Sequence, residues 1–389
     1  MKILAIDIGT GTQDIFLFDS NLDIENGFKL VLPSPTMMVH RRVKQATLAR
    51  APILLTGHQM GGGPSAWAIE AHARAGIPTY MTPDAAATLN DELDKVEALG
   101  IKIVSEDEAD DLSPTIHSLE LKDLDFALIA ETFARFGVSL HDLTAAAVAV
   151  FDHGSAPAGI SDRQFRFDYL DERIRARNSL SAFAYLSSDI PKIMTRLQAV
   201  ADLARGFDCP LVVMDTAPAA ILGACFDPLA ARHERKIIVN AGNFHTLAFR
   251  LGDGIEGLFE HHTGEINLPK LESLLQKLAD GTLKHEDVFN DMGHGALIYS
   301  HTKLEFGKGD FDIVVTGPHR SIFPHSPFIT STSLSASLRS YHAAPFGDMM
   351  MAGCFGLLAA TAEIMPNLAK TILGALRGAD RRGAAPWNE

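Results

Sequence analysis

The sequence predicts a mixed α/β fold assembled from two related halves, and two observations predict it. An apolar run at 2–6, a polar Gly/Thr turn at 7–14 and a second apolar run at 15–18 make a hairpin, followed by a third strand at 28–32. The same strand–turn–strand–strand order returns at 236–239, 240–246, 247–251 and 255–260. An internal repeat on this scale points to two lobes, where plain strand–helix alternation would point to one doubly wound sheet.

The remaining elements follow in order. The third strand ends at a breaker, Pro33 and Pro35. A strand at 52–55 feeds the glycine cluster 57–63, and Pro64 suits the first position of a helix at 65–75. A strand at 78–81, a helix at 89–99 and a strand at 101–104 continue the alternation, and the acidic stretch 105–113 (SEDEADDLS) reads as a solvated loop. A helix at 124–136 precedes the buried strand 145–151 (AAAVAVF), which ends in Asp152-His153-Gly154. Then come a helix at 190–205, a strand at 211–214 and a small-residue helix at 216–225 (TAPAAILGAC). The second half adds a helix at 268–279, a strand at 311–315 running into Thr316-Gly317, and a long apolar helix at 346–364. Its Met349–351 run reads as adaptable core packing, not as a cofactor contact.

Composition bounds the function. With 389 residues, the chain has room for two or three domains at about 100–200 residues each. Its 34 Lys+Arg against 48 Asp+Glu give a net charge of −14, and the basic residues gather only in short groups, such as Arg377, Arg381 and Arg382 near the end. That argues against a nucleic-acid binder, which needs a clustered basic surface. It leaves room for phosphate held by backbone amides and metal ions. Cys209, Cys225 and Cys354 lie too far apart for a disulfide framework or a thiolate cluster. Asp7 interrupts any signal-peptide core, and the longest apolar run, 349–362, falls short of the about 20 residues a membrane span needs. The expectation is a soluble, cytoplasmic protein with no membrane partner.

The two hairpin turns carry the chemistry. In the first, Gly9 and Gly11 let the backbone approach an anion, while Thr10, Thr12 and Gln13 add side-chain donors. Asp7, at the end of the first strand, is placed to hold Mg²⁺ through water. The second turn offers Asn240, Gly242, Asn243, His245 and Thr246. Either turn alone reads equally well as a tight turn with no ligand. Facing each other across a cleft, the two could clamp a polyphosphate, and neither contains Lys or Arg. Gly317, where a strand enters a turn, permits a flat ring such as adenine to pass near the backbone.

Taken together, these motifs resemble the actin / sugar kinase / Hsp70 superfamily of nucleotide-binding proteins. Residues 7–14 resemble its first phosphate motif, 240–246 its second and 314–317 its adenosine motif. Residues 215–223 (DTAPAAILG) and 347–356 (GDMMMAGCFG) resemble the two helices that connect its lobes, and the five occur in the family's order. The resemblance implies two RNase H-like (actin-like ATPase) lobes around a central cleft. The first would span 1–230 with an insertion at 57–115, the second 231–375, and a flexible tail 376–389. It also implies ATP and Mg²⁺ as cofactors, with phosphoryl transfer to a small molecule or water. Asp152 and Asp215 are the candidate catalytic carboxylates, and Asp14 is a further option.

The chain departs from the family pattern at two positions. Asn240 stands where Asp is usual and coordinates hard cations less well, and Pro318 replaces a second glycine and stiffens the turn. A degenerate nucleotide-sensing scaffold that regulates a partner is therefore the alternative reading. More narrowly, the chain resembles a branch whose members carry the label pyruvate formate-lyase activating enzyme. That label implies radical-SAM chemistry on three closely spaced cysteines, which this chain lacks, so the label is rejected on chemical grounds.

A third function class comes from the 16 histidines. His58, His153, His245, His261, His262 and His294 are candidates for a transition-metal site and a metal-dependent hydrolase, provided that several converge. None has HExxH or HxH spacing, and each alone reads as a surface or satisfied core residue. The glycine cluster 57–63 with Gln59 reads equally as an anion or substrate loop at a helix N-terminus and as a flexible connection.

Overall fold

The computed structural model describes residues 1–114, 116–157, 159–324 and 338–378. Of the tail expected at 376–389, residues 379–389 lie outside the described residues. Among the described residues the fold is mixed α/β with three sheets. Strands β1 (Lys2–Ile8), β2 (Thr12–Asp19) and β3 (Phe28–Pro33) form an antiparallel meander. Strands β4 (Ile53–Gly57), β5 (Thr79–Met81), β6 (Lys102–Ile103) and β7 (His117–Leu121) make a separate parallel sheet in the order β6-β5-β4-β7. Strands β8 (Leu143–Val150), β9 (Ala184–Leu186) and β10 (Leu211–Asp215) return to the first sheet, giving β3-β2-β1-β8-β10-β9 with β8 parallel to β1 and β10.

The third sheet repeats that plan. Strands β11 (Lys236–Ala241), β12 (His245–Leu251), β13 (Ile255–His262) and β14 (Gly295–Ile298) are antiparallel neighbours. Strands β15 (Ile313–Thr316) and β16 (Ser340–His342) then add in parallel on the free side of β11, completing the order β14-β13-β12-β11-β15-β16.

Strand alternation decides what faces what. In β8, Ala146, Val148 and Val150 enter the core shared by both six-stranded sheets, while Ala145, Ala147 and Ala149 face the opposite way. That methyl-only face admits the helix Ala352–Ile364, whose Cys354, Phe355 and Leu358 share its core. Asp7 has the parity of Ile3 and Ala5, so it too points at this helix. A Cβ on Gly353 would collide with the Asp7 carboxylate, so only glycine fits there. The helix Thr216–Ala224 crosses Ala352–Ile364 just as closely. A Cβ on Gly223 would overlap the Ala352 carbonyl oxygen, and one on Gly356 the Ala219 carbonyl oxygen.

Three expectations are corrected. The acidic 105–113 stretch is a helix, Glu106–Leu112, because Ser105 and Glu108 form a reciprocal capping box with N···O distances of 3.2 and 2.9 Å. The breaker at 33–35 starts a helix, Pro35–Leu48, with Ser34 as N-cap and Pro35 in its first turn. The long apolar helix begins only at Ala352, because Phe346 has φ +52° and interrupts the turn before it. Within 155–189, for which no element was expected, the helix Asp162–Ala176 buries Arg166, Phe167, Tyr169, Leu170 and Ile174 on one side.

Candidate functional site

A cavity of about 970 Å³ opens where the ends of the two six-stranded sheets meet. From the first turn it is lined by Asp7, Gly9, Thr10 and Thr12, with Asp14 beside them. The second turn contributes Asn240, Gly242, Asn243 and His245, and Gly317 and Asp152 complete the sequence-predicted residues there. Gly11, Gln13, Asp215 and Thr246 do not line it. Gly11 instead abuts Asn243, so close that a Cβ would strike its side-chain amide, and the two turns touch at that point. Gln13 donates to the Pro33 carbonyl at 3.1 Å, and Thr246 shares a hydrogen bond with Thr263 at 2.9 Å. Gly61–Gly63 from the glycine cluster form another part of the wall.

The first turn is held by Ser34, which donates to the Thr10 carbonyl at 2.6 Å through its hydroxyl and to the Gly11 carbonyl at 3.2 Å through its amide. The second is tied by Thr263, whose hydroxyl donates to the Gly242 carbonyl at 2.9 Å. Gly317 has φ +95°, and its N–H points to Met349 Sδ at 3.2 Å. Met349 and Met350 therefore sit on the cavity wall and only Met351 is wholly core, which corrects the expectation of core packing for all three.

Asp7 and Asp14 are direct cross-strand partners. Asp7 accepts a 2.5 Å hydrogen bond from Thr216, whereas Asp14 Oδ1 is buried with no partner. Burial first, then the neighbouring carboxylates, pushes Asp7 up to about 6 and Asp14 up to about 8. Native protein therefore holds protons on this pair more tightly than the unfolded chain, and the pair makes stability fall as pH rises towards 8. The buried histidines described below, pushed down from 6.5, act in the opposite sense at acid pH. Histidines of the unfolded chain are still half protonated at pH 6.5 and offset part of this decline, so the acid pair is read between pH 6.5 and 8 from wild type against Asp14→Asn. In chelator, urea unfolding should show wild type losing stability across that window relative to Asp14→Asn, by about 1–2 kcal/mol. Asp14→Asn should flatten the decline, and Mg²⁺ should stabilise wild type more at pH 8 than at pH 6.5. An equal slope in the variant would refute the assignment.

The two carboxylates read from sequence as catalytic are bound up in structural contacts. Asp152 accepts the amides of Gly154 at 2.8 Å and Leu197 at 2.9 Å. Asp215 caps its own helix through Ala217 N–H at 3.0 Å and accepts Arg166 Nη1 at 2.7 Å. Arg166, 1% exposed, comes from the Asp162–Ala176 helix. It also donates to Glu260 Oε2 at 2.7 Å and the Asp152 carbonyl at 3.0 Å, and its guanidinium lies 4.0 Å from the Phe151 ring centre. Burial raises Asp215 and Glu260, and the shared guanidinium pulls both back down.

Above this ion triad the histidines converge. Glu260 and His262 share a face of β13, and His245 lies opposite His262 on β12. His294 joins from the entry to β14, donating its amide to the Glu260 carbonyl at 2.9 Å. His153 arrives from the loop after β8 of the other sheet, with its Nε2 3.0 Å from His294 Nε2. Donor atoms of His153, His245, Glu260 and His294 all lie within 4.8 Å of one another, the one such convergence of three or more among the described residues. Burial is the first cause that pushes all three imidazoles down, His294 to about 2, so they are neutral. His58, His261 and His262 are outside the group. The sequence reading missed Glu260 and Arg166. A carboxylate inside the apolar run GLFEHH was the available signal for the first.

A family model, DUF1786, described as "Putative pyruvate format-lyase activating enzyme", matches residues 60–322. No curated protein matches the chain. A crystal structure of a ROK family transcriptional regulator, a homologue of the E. coli MLC protein, shows 10% identity over 65% of this chain and 37% of its own, at a TM-score of 0.24. This chain thus spans little more than a third of that protein, and the likeness is too slight to bear on the fold. Among the described residues no helix is long and apolar enough to cross a membrane.

Proposed function

The chain belongs to the DUF1786 family, and from its cleft we propose that it binds ATP with Mg²⁺ and transfers the terminal phosphoryl group to a small molecule or to water. One observation carries this reading: two lysine- and arginine-free glycine turns meet around a single cavity that also holds a carboxylate pair. Turn amides would donate to phosphate oxygens, and Mg²⁺ on Asp7 and Asp14 would offset the charge. The adenine would lie against Gly317. Catalysis would rest on positioning and charge neutralisation. In this reading residues 1–230 and 231–375 are two actin-like ATPase lobes, with 57–115 inserted in the first. The repeated strand plan of the six-stranded sheets and the paired crossing helices support it. So does the volume, which suits a nucleotide-sized ligand.

A second reading, binding without turnover, is favoured by the engagement of both Asp152 oxygens and both Asp215 oxygens in structural bonds. Calorimetry with millimolar Mg-ATP tests the binding. Saturable heat is expected, with affinity lowered about tenfold or more in Asp7→Asn, equivalent to about 1.4 kcal/mol. Absence of heat with both ATP and ADP would sink the proposal. Phosphate release in the same samples separates turnover from sensing.

A further inference from the structure

We propose that His153, His245, His294 and Glu260 bind one divalent transition-metal ion of the zinc class at the wall of the cleft, distinct from the Asp7–Asp14 pair. The geometry comes first. Four donor atoms from four separate elements, the loop after β8, β12, β13 and the entry to β14, lie within 4.8 Å of one another. A tetrahedral ion with bonds of about 2.0–2.1 Å sets its donors about 3.3 Å apart, so side-chain shifts of about 1 Å close the cage.

The unmet polar atoms point the same way. Glu260 Oε1, His245 Nε2 and His294 Nδ1 are all buried without a hydrogen-bond partner. Each such atom costs about 1–3 kcal/mol when left unpaired, and a cation held by Glu260 Oε1 and one nitrogen of each ring would give the carboxylate oxygen the partner it lacks. Glu260 is fully buried and His294 is 1% exposed, so water does not substitute for a partner at the surface. The donor set selects the ion: three imidazoles and one carboxylate suit Zn²⁺, Fe²⁺, Mn²⁺ or Co²⁺, and disfavour Mg²⁺ and Ca²⁺, which take all-oxygen shells.

An outer shell is already in place. Arg166 fixes Glu260 through Oε2 and leaves Oε1 directed at the imidazoles, 3.5 Å from His294 Nδ1 and 3.8 Å from His245 Nδ1. Such supporting contacts are the usual companions of a metal ligand. His153 and His245 line the cavity whereas Glu260 and His294 do not, so the ion would be reached from the cleft and held from behind. Because His153 follows β8 and the other ligands belong to β12–β14, the ion would also tie the first six-stranded sheet to the third.

The test uses the full chain carrying a tag without histidine. Elemental analysis after desalting is expected to find about one equivalent of a transition metal. Cobalt added to chelator-stripped protein is expected to give visible d–d absorption that saturates at about one equivalent, which needs no variant. His153→Ala and His294→Ala should each lower retained metal at least tenfold, while the Asp7→Asn/Asp14→Asn double variant keeps it. Folded wild type that retains none of Zn²⁺, Co²⁺, Mn²⁺ or Fe²⁺ overturns the proposal. So does equal retention by the histidine variants, or loss in the aspartate variant. Mg-ATP binding is read separately by heat, so either site can fail without the other.

Discussion

Gly356→Leu is expected to abolish the folded protein, and Gly356→Ala alone to cost about 3 kcal/mol. The obstacle is backbone: the new Cβ would overlap the Ala219 carbonyl oxygen, and no rotamer change can move a carbonyl in the opposite helix. The helices must separate, and in doing so they open the core that Phe355, Leu357 and Leu358 share with the alanines of β8. Gly223→Ala should behave alike, since its Cβ meets the Ala352 carbonyl oxygen. Gly264→Ala, whose Cβ would have nothing within 4 Å, is the control and should change stability by less than about 0.5 kcal/mol. Urea midpoints at constant slope give the comparison. Equal midpoints for Gly356→Ala and the control would show that the crossing is looser than described.

Arg166→Met carries the second large effect. It leaves Asp215 and Glu260 buried, 5% and 0% exposed, with no counter-charge. Removing one partner of such a group costs about 3–5 kcal/mol, because the orphaned charges stay desolvated. The loss should shrink as pH falls, since protonation of the two carboxylates removes the unpaired charge, and both are already raised by burial. Replacing all three residues by apolar ones should cost less than the sum of the single changes, the mark of a coupled network. A pH-independent loss in Arg166→Met would mean that packing over Phe151, and not charge, is what Arg166 contributes.

What could be read from sequence was local. The hairpins at both ends of the repeat follow from short apolar runs around Gly-rich turns, and β1, β2, β11 and β12 lie where the periodicity puts them. The glycines of the crossing helices stood out as small-residue runs. Charge density misled at 105–113, where an acidic composition outweighed the Ser105–Glu108 capping pattern. The site was legible only in pieces. The turn residues are contiguous in the chain, but the histidine group draws on positions 153, 245, 260 and 294, which no spacing rule connects. Arg166 was hidden most completely: in DRQFRFDYLDERIRA a buried arginine looks like the solvated ones beside it.

The His153–His294 contact joins residues 141 positions apart. At about 5–20 residues per second of synthesis, His153 emerges roughly 7–28 s before its partner. In that interval the nascent chain holds at most two imidazoles of the group, His153 and then His245. The contact forms only after His294, just ahead of β14, has been made. It is therefore absent from every translation product that stops short of residue 294.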